Sequence, residues 1–379
     1  MKNVRNGNSK LTSSAGIIQA GIQLGFTIIL FLALSGLVST SALAHGQGSH
    51  FWQPRSCSKT ASAALLACQY EAKDDKWIAI GKCKNLKDAG EREECLREAE
   101  DEFKEAKALC KEQFEARKEV CELVGEDPYD PDFADFTYRP FPIPEEELNP
   151  YWSLKVGNKW VYEGGDETIT VEVLRKTKLI EGVTCIVVND VVEECDEDGE
   201  ECTVIEDTDD WYGQKINGDV WYFGEIARDF EIFEGDAPEE PELVAIDGSW
   251  KTGRDGAKPG MLIAKEPQLG HAYRQEMSLG EAEDVAEVLS NNYVFNGDDE
   301  NPESLDYKVP EELANMLCGT VPESSQCVVT RDFTALEPGV EERKYYAPGI
   351  GVFLEVNLET GEIVQLVECN IDPKCSSLP

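Results

Sequence analysis

Thirteen cysteines carry the clearest chemistry in this 379-residue chain, because thiols either pair as disulfides or bind a metal. Six of them lie between residues 57 and 121, and their spacings of 11, 15, 12, 15 and 11 read the same in both directions. Zinc sites are typically built on cysteines only a few residues apart, and this segment contains no such pair. The symmetry therefore predicts three nested disulfides, Cys57–Cys121, Cys68–Cys110 and Cys83–Cys95.

The other seven cysteines favour short disulfide loops. We predict the bridges Cys195–Cys202, Cys318–Cys327 and Cys369–Cys375, which leaves Cys185 as a free thiol in an apolar segment. We interpret Cys185 as a buried, inert thiol; a redox-active or nucleophilic role is the alternative.

Copper is one metal that the sequence allows. The histidines are His45, His50 and His271. If export removes residues 1–44, the amino group and imidazole of His45 could chelate Cu(II), with His50 or His271 adding a third nitrogen. The alternative is that residues 45–56 form a flexible tail without metal.

Calcium is the other metal candidate, because clustered carboxylates are the ligands that it prefers. Two acidic clusters occur, the first being Asp196, Asp198 and Glu201 and the second Asp207, Asp209 and Asp210. Asp-Gly is also a common hairpin turn, and we favour a turn at the first cluster. No cofactor is therefore assigned.

A basic, glycine-rich stretch, DGSWKTGRDGAKPG (247–260), is the best candidate for ligand binding. Its glycines let the backbone approach a ligand, and its cations could receive an anionic or sugar-like group. The predicted ligand-binding residues of this stretch are Trp250, Lys251, Arg254 and Lys258. Aromatic residues that could line a pocket in the sheet are Trp211, Tyr212, Trp221, Tyr222, Tyr273, Tyr345 and Tyr346. His271 and Arg274, which flank Tyr273, are predicted to bind the ligand with them. The alternative is that the aromatics form a core and the stretch is a long turn.

The elements that must position these residues begin with a helical hairpin over residues 57–124. Residues equally far from a turn lie level on two antiparallel helices, which is the geometry that nested disulfides need. Asp88-Ala-Gly-Glu91 resembles a helix-capping box for the second helix. The polar stretch between Cys83 and Cys95 is then the exposed tip of a hairpin held by its three bridges.

The remainder predicts a mostly antiparallel β domain over residues 151–369. Short alternating or β-branched segments separated by Gly, Asp and Asn turns favour a curled sheet, a barrel or a sandwich. Residues 125–150 are a proline-rich acidic linker, and residues 370–379 are a C-terminal tail. The fold class is therefore α+β, with a disulfide-pinned hairpin followed by an antiparallel sheet.

Residues 1–44 have the features of an export signal. Three basic residues precede the apolar run 24–38, and Ala42-Leu43-Ala44 is a cleavage motif. We expect cleavage after Ala44, a periplasmic or secreted protein, and no membrane span afterwards. The formal net charge is −40 at pH 7, which disfavours nucleic acid and anionic lipid as partners.

A set of motifs resembles a group of secreted bacterial proteins without an established activity. The motifs are GNKWVYEGG, DTDDWYGQ, GSWKTGRDGAKPGM and KYYAPGIG, together with the cysteine-bearing hairpin. The resemblance implies the same order of a hairpin followed by an antiparallel domain. More loosely, G-N-x-W-x-Y and Y-A-P-G-x-G resemble envelope lipoproteins, but a lipobox cysteine is missing at the signal.

Catalytic motifs are missing from the sequence. It has no G-x-S-x-G, no H-E-x-x-H and no Walker loop, so no catalytic residue is assigned. We therefore predict an exported, acidic, non-enzymatic module that binds an unknown small ligand or an envelope or extracellular partner. The alternatives are a secreted enzyme using carboxylates or an N-terminal copper site, and a calcium-dependent structural or surface protein.

Overall fold

A computed structural model describes residues 55–136, 142–195, 202–233 and 235–379. The predicted export signal and nearly all of the predicted tail lie outside these ranges. So do His45, His50, Asp196, Asp198 and Glu201, which were the candidates for copper and for the first calcium cluster.

A helical hairpin opens the described chain, as the sequence predicts. Helices α1 (Ser56–Lys84) and α2 (Ala89–Val124) are joined at the tip by a short turn. The side chain of Asp88 accepts hydrogen bonds from the backbone N–H groups of Gly90 and Glu91, at 2.7 and 3.0 Å, and so caps α2. Three disulfides join the helices, Cys57–Cys121, Cys68–Cys110 and Cys83–Cys95.

Fifteen strands follow in the described ranges and form one antiparallel sheet that is nearly closed into a barrel, so the α+β fold class is confirmed. The first eight are β1 (Lys159–Gly164), β2 (Glu167–Ile180), β3 (Val183–Cys195), β4 (Cys202–Gln214), β5 (Val220–Ile226), β6 (Asp229–Glu231), β7 (Glu242–Ala245) and β8 (Lys258–Ile263). The others are β9 (Ala272–Arg274), β10 (Glu276–Met277), β11 (Asp284–Ser290), β12 (Val328–Thr334), β13 (Glu341–Ala347), β14 (Gly351–Asn357) and β15 (Ile363–Cys369), with a helix α3 (Glu311–Cys318) before β12.

The barrel closes where one short segment changes its pairing partner. The strand order is β10-β8-β5-β4-β3-β2-β1-β15-β14-β13-β12-β11-β9, with β6 and β7 forming a hairpin at the side of β4. The two terminal strands, β9 and β10, are consecutive in the chain and are separated only by Gln275. Gly260 on β8 permits this closure, because a Cβ there would lie 2.1 Å from the backbone carbonyl of Gln275.

Two apolar cores stabilise the sheet. The main core includes Trp160, Tyr212 and Phe353, and α3 covers part of it. A smaller core on β3, β4 and β5 is covered by the segment before residue 137, where the Phe136 ring packs edge-on against Phe223 with 5.1 Å between centroids. The predicted linker is thus partly packed against the barrel.

Disulfides also fasten the barrel. The bridges are Cys195–Cys202, Cys318–Cys327 and Cys369–Cys375, and Cys185 is a free, buried thiol. Of the helices that the structure describes, none combines the length and apolar character needed to cross a membrane. Six disulfides are typical of proteins that reside in an oxidising compartment.

Candidate ligand-binding site

A cavity of about 390 Å³ lies between the base of the hairpin and the part of the barrel where the sheet closes. Its volume falls within the range of small-molecule sites, roughly 300–1,000 Å³. Its lining from the hairpin side is Ser56, Cys57, Thr60, Ala61, Arg117, Val120, Cys121, Val124, Gly125, Asp127, Pro128 and Tyr129. From the barrel side it is Trp221, Met261, His271, Ala272, Tyr273, Arg274, Met277, Leu279, Glu283 and Ala335. We call this space the hairpin–barrel cavity.

Polar contacts of α2 hold the hairpin against the barrel beside this cavity. Arg117 donates from Nε to Oε2 of Glu283 at 2.8 Å and from Nη2 to Oε1 at 2.7 Å. Gln113, one turn earlier, donates from Nε2 to the carbonyl of Leu336 at 2.8 Å. The backbone N–H of Gly280 donates to Glu283 Oε1 at 2.8 Å and fixes the carboxylate from the other side. The hairpin is therefore positioned by specific buried hydrogen bonds.

Arg274 brings a second cation to the cavity wall. Its side chain is buried, with 8 % of its surface exposed, and Nη2 lies 3.3 Å from Sγ of Cys57. Its guanidinium carbon is 5.9 Å from the ring centroid of Tyr129. Within the described part of the chain it forms no ion pair with a carboxylate, whereas Arg117 is paired with Glu283.

The guanidinium of Arg274 nevertheless stays charged. Burial lowers its pKa below the ordinary value, and the nearby Glu283 carboxylate and Tyr129 act in the opposite direction. A guanidinium is not deprotonated in proteins, so Arg274 keeps its charge near neutral pH. Arg117 is neutralised by Glu283 but still offers a donor, because its Nη1 is buried without a hydrogen-bond partner among the described residues.

The rest of the wall is mainly apolar. Val120, Val124, Met261, Met277 and Leu279 contribute aliphatic and thioether groups, and Tyr129, Trp221 and Tyr273 contribute rings. The hydroxyl of Tyr129 is already used, since it donates to the carbonyl of Pro259 at 2.9 Å. A wall of this kind, with a few cationic groups, suits a molecule that has an apolar body and an anionic end.

The residues that the sequence predicted as ligand-binding are not brought together. Trp221, His271, Tyr273 and Arg274 do line the hairpin–barrel cavity. The main core contains Tyr212, Tyr222, Trp250, Tyr345 and Tyr346, and the smaller core contains Trp211.

The stretch 247–260 consists mainly of turns and ends in β8. Lys258 already belongs to β8, and its Nζ is 2.6 Å from a carboxylate oxygen of Asp130. Lys251 forms an isolated antiparallel β-bridge with Gly224. A Cβ added at Gly224 would lie 2.3 Å from the carbonyl oxygen of Trp250. The backbone of this stretch therefore packs closely on β5, and Trp250 is turned into the core.

Sequence reasoning missed the hairpin's part in the site, above all Arg117, Glu283 and Tyr129. One signal was present: Arg117 lies at helical spacing between Phe114 and Cys121, on the otherwise apolar face of α2. A charged residue in such a stripe indicates a buried partner. The identity of that partner could not be read, because Glu283 is 166 residues away.

A second group of interest is a set of carboxyl side chains inside the barrel whose pKa values are raised, which we call the interior acid cluster. Its members are Asp190, Asp210, Glu225, Glu276, Asp284, Asp332, Glu342 and Glu355, and the cation beside them is Lys344. A small cavity of about 30 Å³ adjoins Asp190, Glu355 and Lys344. Six of the eight have a buried carboxylate oxygen without a hydrogen-bond partner in the described residues, namely Asp190, Glu225, Glu276, Asp284, Asp332 and Glu355, although the oxygen of Glu355 lies 3.6 Å from Lys344 Nζ.

Burial raises the pKa values in this cluster, and the neighbouring carboxylates raise most of them further. The pKa of Asp210 and that of Asp284 are raised to about 7, and that of Glu342 to about 8. The Tyr222 hydroxyl contacts both Asp210 Oδ1 and Glu225 Oε2. One phenol proton can serve only one acceptor, so the second carboxyl must itself carry a proton to complete the hydrogen bond.

The described residues contain no candidate metal site. Among the residues with described positions, no three His, Cys, Asp or Glu side chains are grouped to hold a metal ion. The second acidic cluster is divided by the sheet: Asp207 and Asp209 each lie 3.5 Å from Arg228, whereas Asp210 is buried against Tyr222. Alternation of side chains along β4 separates them.

Comparison with protein-family models, with curated proteins and with solved structures finds no match for this chain. The resemblance to secreted bacterial proteins therefore stays a prediction.

Proposed function

We propose that this chain is an exported binding protein that holds a small amphipathic anion in the hairpin–barrel cavity. The observation that carries the proposal is Arg274, a buried cation without a carboxylate partner in the described residues, in a mainly apolar wall. A carboxylate-like group of the ligand would pair with this guanidinium, and its apolar body would contact the aliphatic and aromatic wall. A charge-assisted hydrogen bond of this kind strengthens in a water-poor site.

The charges of the cavity wall favour an anion over a cation as the ligand. The chain is strongly acidic, yet this cavity presents two arginines, and only one of them is neutralised by Glu283. A cationic ligand would leave Arg274 unpaired and add a repulsion. A neutral ligand would fill the apolar volume without pairing the guanidinium.

Export to the periplasm or the exterior is part of the proposal. Six disulfides support an oxidising compartment, and the sequence of residues 1–44 supports secretion. The intact mass of the protein secreted by its host would test it, and a mass starting at His45 is expected. A protein that retains residue 1 would contradict export by cleavage.

The test of binding compares three molecules with one apolar body, namely dodecanoate, dodecanol and dodecylamine. We expect dodecanoate to raise the melting temperature and to change the emission of Trp221, with the alcohol weaker and the amine inactive. The Arg274→Met variant should weaken dodecanoate binding at least ten-fold, a loss of about 1.4 kcal/mol. Lys258→Met, which removes an exposed lysine, is the matched control and should leave binding unchanged.

Two results would overturn this proposal. One is equal binding of dodecanoate and dodecanol, and the other is unchanged dodecanoate binding in Arg274→Met. If dodecanoate changes neither the melting temperature nor the emission, a panel of carboxylates with ring-shaped apolar bodies tests the same preference for anions with other ligand shapes. The absence of binding across that panel would also reject the proposal.

Catalysis by carboxylates is not proposed. It would fall on the interior acid cluster, where Asp210 and Glu225 are each 2 % exposed, so that a substrate would have to enter the barrel. A calcium-dependent structural or surface role stays a prediction of the sequence.

A further inference from the structure

The disulfide Cys57–Cys121 closes the base of the hairpin and forms part of the wall of the hairpin–barrel cavity. Cys57 is half-buried and Cys121 is buried, and both line the cavity. With a volume of about 390 Å³, the cavity has room for a small thiol beside the two sulfur atoms. A small reductant can therefore approach this bridge from inside the cavity.

A buried cation contacts one sulfur of the bridge. Nη2 of Arg274 lies 3.3 Å from Sγ of Cys57. Sulfur without a charge is a weak hydrogen-bond acceptor, so the guanidinium gains little from this contact while the bridge is intact. A thiolate in the same position carries a full negative charge and would pair with Arg274. The contact therefore stabilises the reduced form of the bridge more than the oxidised form.

The start of α1 acts in the same direction. Cys57 is the second residue of α1, at the end where the helix dipole is positive and favours a thiolate. Glu126 opposes this effect, because its carboxylate accepts a hydrogen bond from the backbone N–H of Ser58 at 3.0 Å. Glu283, the acid that acts on Arg274, is paired with Arg117. The contact with Arg274 is thus the feature that distinguishes Cys57.

A second bridge of the hairpin provides an internal comparison. Cys68–Cys110 joins the same two helices and also pairs a half-buried cysteine with a buried one. Its Cys68 Sγ lies 3.6 Å from Oε1 of Gln113, a neutral amide. The two bridges therefore differ in the charge beside the sulfur.

We propose that Cys57–Cys121 is a redox-active disulfide that exchanges with a small dithiol in the cavity, with Arg274 stabilising the Cys57 thiolate. One thiolate of the reductant attacks Cys121 Sγ, the S–S bond breaks, and its electron pair leaves on Cys57. The second thiolate of the reductant attacks the reductant's own sulfur in the mixed disulfide, which releases Cys121 and forms a cyclic disulfide. Two electrons pass to the bridge; of the two thiol protons, one goes to Cys121 and one to solvent. A stabilised leaving thiolate makes this exchange faster.

Reduction of this bridge leaves the rest of the hairpin in place. The bridges Cys68–Cys110 and Cys83–Cys95 still join the helices, and Arg117 still pairs with Glu283. Only the base of α1 loses its covalent link. The Cys57 thiolate would neutralise Arg274, so the reduced protein should bind an anion less tightly, a consequence that rests on the proposed function.

The first experiment equilibrates the protein in buffers of graded ratios of reduced to oxidised dithiothreitol, followed by acid quench, alkylation and peptide mapping. We expect Cys57–Cys121 to be half reduced at a ratio at least about ten-fold lower than Cys68–Cys110, the size of effect expected from one hydrogen bond to a charged group. Arg274→Met should raise the ratio for Cys57–Cys121 by a similar factor and leave that for Cys68–Cys110 unchanged. Arg97→Met, which removes an exposed arginine about 36 Å along α2 from Cys121, is the matched control and should change neither. Equal ratios for the two bridges, or no effect of Arg274→Met, would overturn the proposal.

A second measurement keeps Arg274 in place, in case its replacement prevents folding. In Cys121→Ser, Cys57 is a free thiol, and its rate of reaction with iodoacetamide is followed against pH. We expect the half-maximal rate below about pH 8.5, the ordinary value for a cysteine thiol, and a midpoint at or above it would contradict the proposal. Neither measurement uses a ligand. A bridge that is readily reduced in a protein that does not bind dodecanoate would reject the proposed function alone, and dodecanoate binding with an inert bridge would reject this inference alone.

Discussion

Arg117 and Glu283 form a buried two-bond ion pair that joins the helical hairpin to the barrel. The two N···O distances are 2.8 and 2.7 Å, and the side chains are 7 % and 3 % exposed. Paired hydrogen bonds of this planar kind define orientation as well as distance. The hairpin–barrel cavity therefore depends on this contact for its shape.

Breaking the ion pair from one side should be costly. Arg117→Met leaves the Glu283 carboxylate buried without its cation, and we expect a loss of roughly 3–5 kcal/mol in the free energy of unfolding. The double variant Arg117→Met with Glu283→Leu should recover much of that loss. Arg97→Met, which breaks the exposed pair with Glu94, is the control and should change stability far less. Urea unfolding with disulfides intact measures all three.

The interior acid cluster makes stability fall as pH rises. In the unfolded chain, carboxyls ionise near pH 4, whereas Asp210 and Asp284 hold their protons to about pH 7 and Glu342 to about pH 8 in the folded protein. Between those limits the native state binds more protons, so the free energy of unfolding decreases from about pH 4 to about pH 8. We expect a lower melting temperature at pH 8 than at pH 6.

The variant Asp210→Asn tests whether a protonated interior carboxyl causes this pH dependence of stability. An amide cannot ionise, so the variant should melt higher than the parent at pH 8 and show a flatter pH dependence. Asp209→Asn, at the next residue but on the face of Arg228, is the matched control and should keep the parent's slope. A parent protein that is more stable at pH 8 than at pH 6 would contradict the assignment.

Two glycines should respond to alanine in opposite directions. Gly260→Ala places a Cβ 2.1 Å from the Gln275 backbone at the barrel closure, and we expect a loss of roughly 1–3 kcal/mol. Gly81→Ala meets no atom within 4 Å on α1 and should add about 0.5–1 kcal/mol, because alanine has less backbone freedom to lose. Thermal unfolding of the two variants beside the parent decides the matter. A Gly260→Ala variant as stable as the parent would show that the backbone contact at Gln275 can relax to accommodate a Cβ.

The thirteen cysteines should yield one thiol. Cys185 is fully buried, and burial raises the pKa of its thiol well above the ordinary value, so the native protein should not react with a thiol reagent near neutral pH. In denaturant without reductant we expect one reactive thiol per chain, and none in Cys185→Ala. Peptide mapping under the same conditions should recover the six cystines. More than one free thiol would contradict the disulfide set.

Local spacing in the sequence predicted much of the fold. The mirror-symmetric cysteines indicate the hairpin, because helical rise converts equal distances from a turn into equal heights. Strands such as β3 and β14 are predicted by their β-branched and aromatic residues. By contrast, β8 was not among the predicted strands, and its Lys258, Pro259 and Gly260 are residue types that are depleted in strands. Only its pairing with β5 and β10 makes it a strand.

The candidate site was predicted in part. Tyr273 and Arg274 were among the expected ligand-binding residues, and the structure places them on the cavity wall. Trp250 was expected beside them, but it fills the core. Composition cannot distinguish an aromatic residue that lines a pocket from one that fills a core, because both are buried and both have aromatic neighbours.

The sequence by itself determined the local geometry of this protein: the two helices, their cystines and most of the strands follow from residue spacing and from backbone preferences. Only the tertiary structure decided that the hairpin closes over the end of the sheet and that Arg117 meets Glu283. It also decided that Arg274 is left without a carboxylate among the described residues. The physical reason is that each of these contacts joins segments far apart in the chain. Their energies arise from burial and pairing, which no single segment encodes.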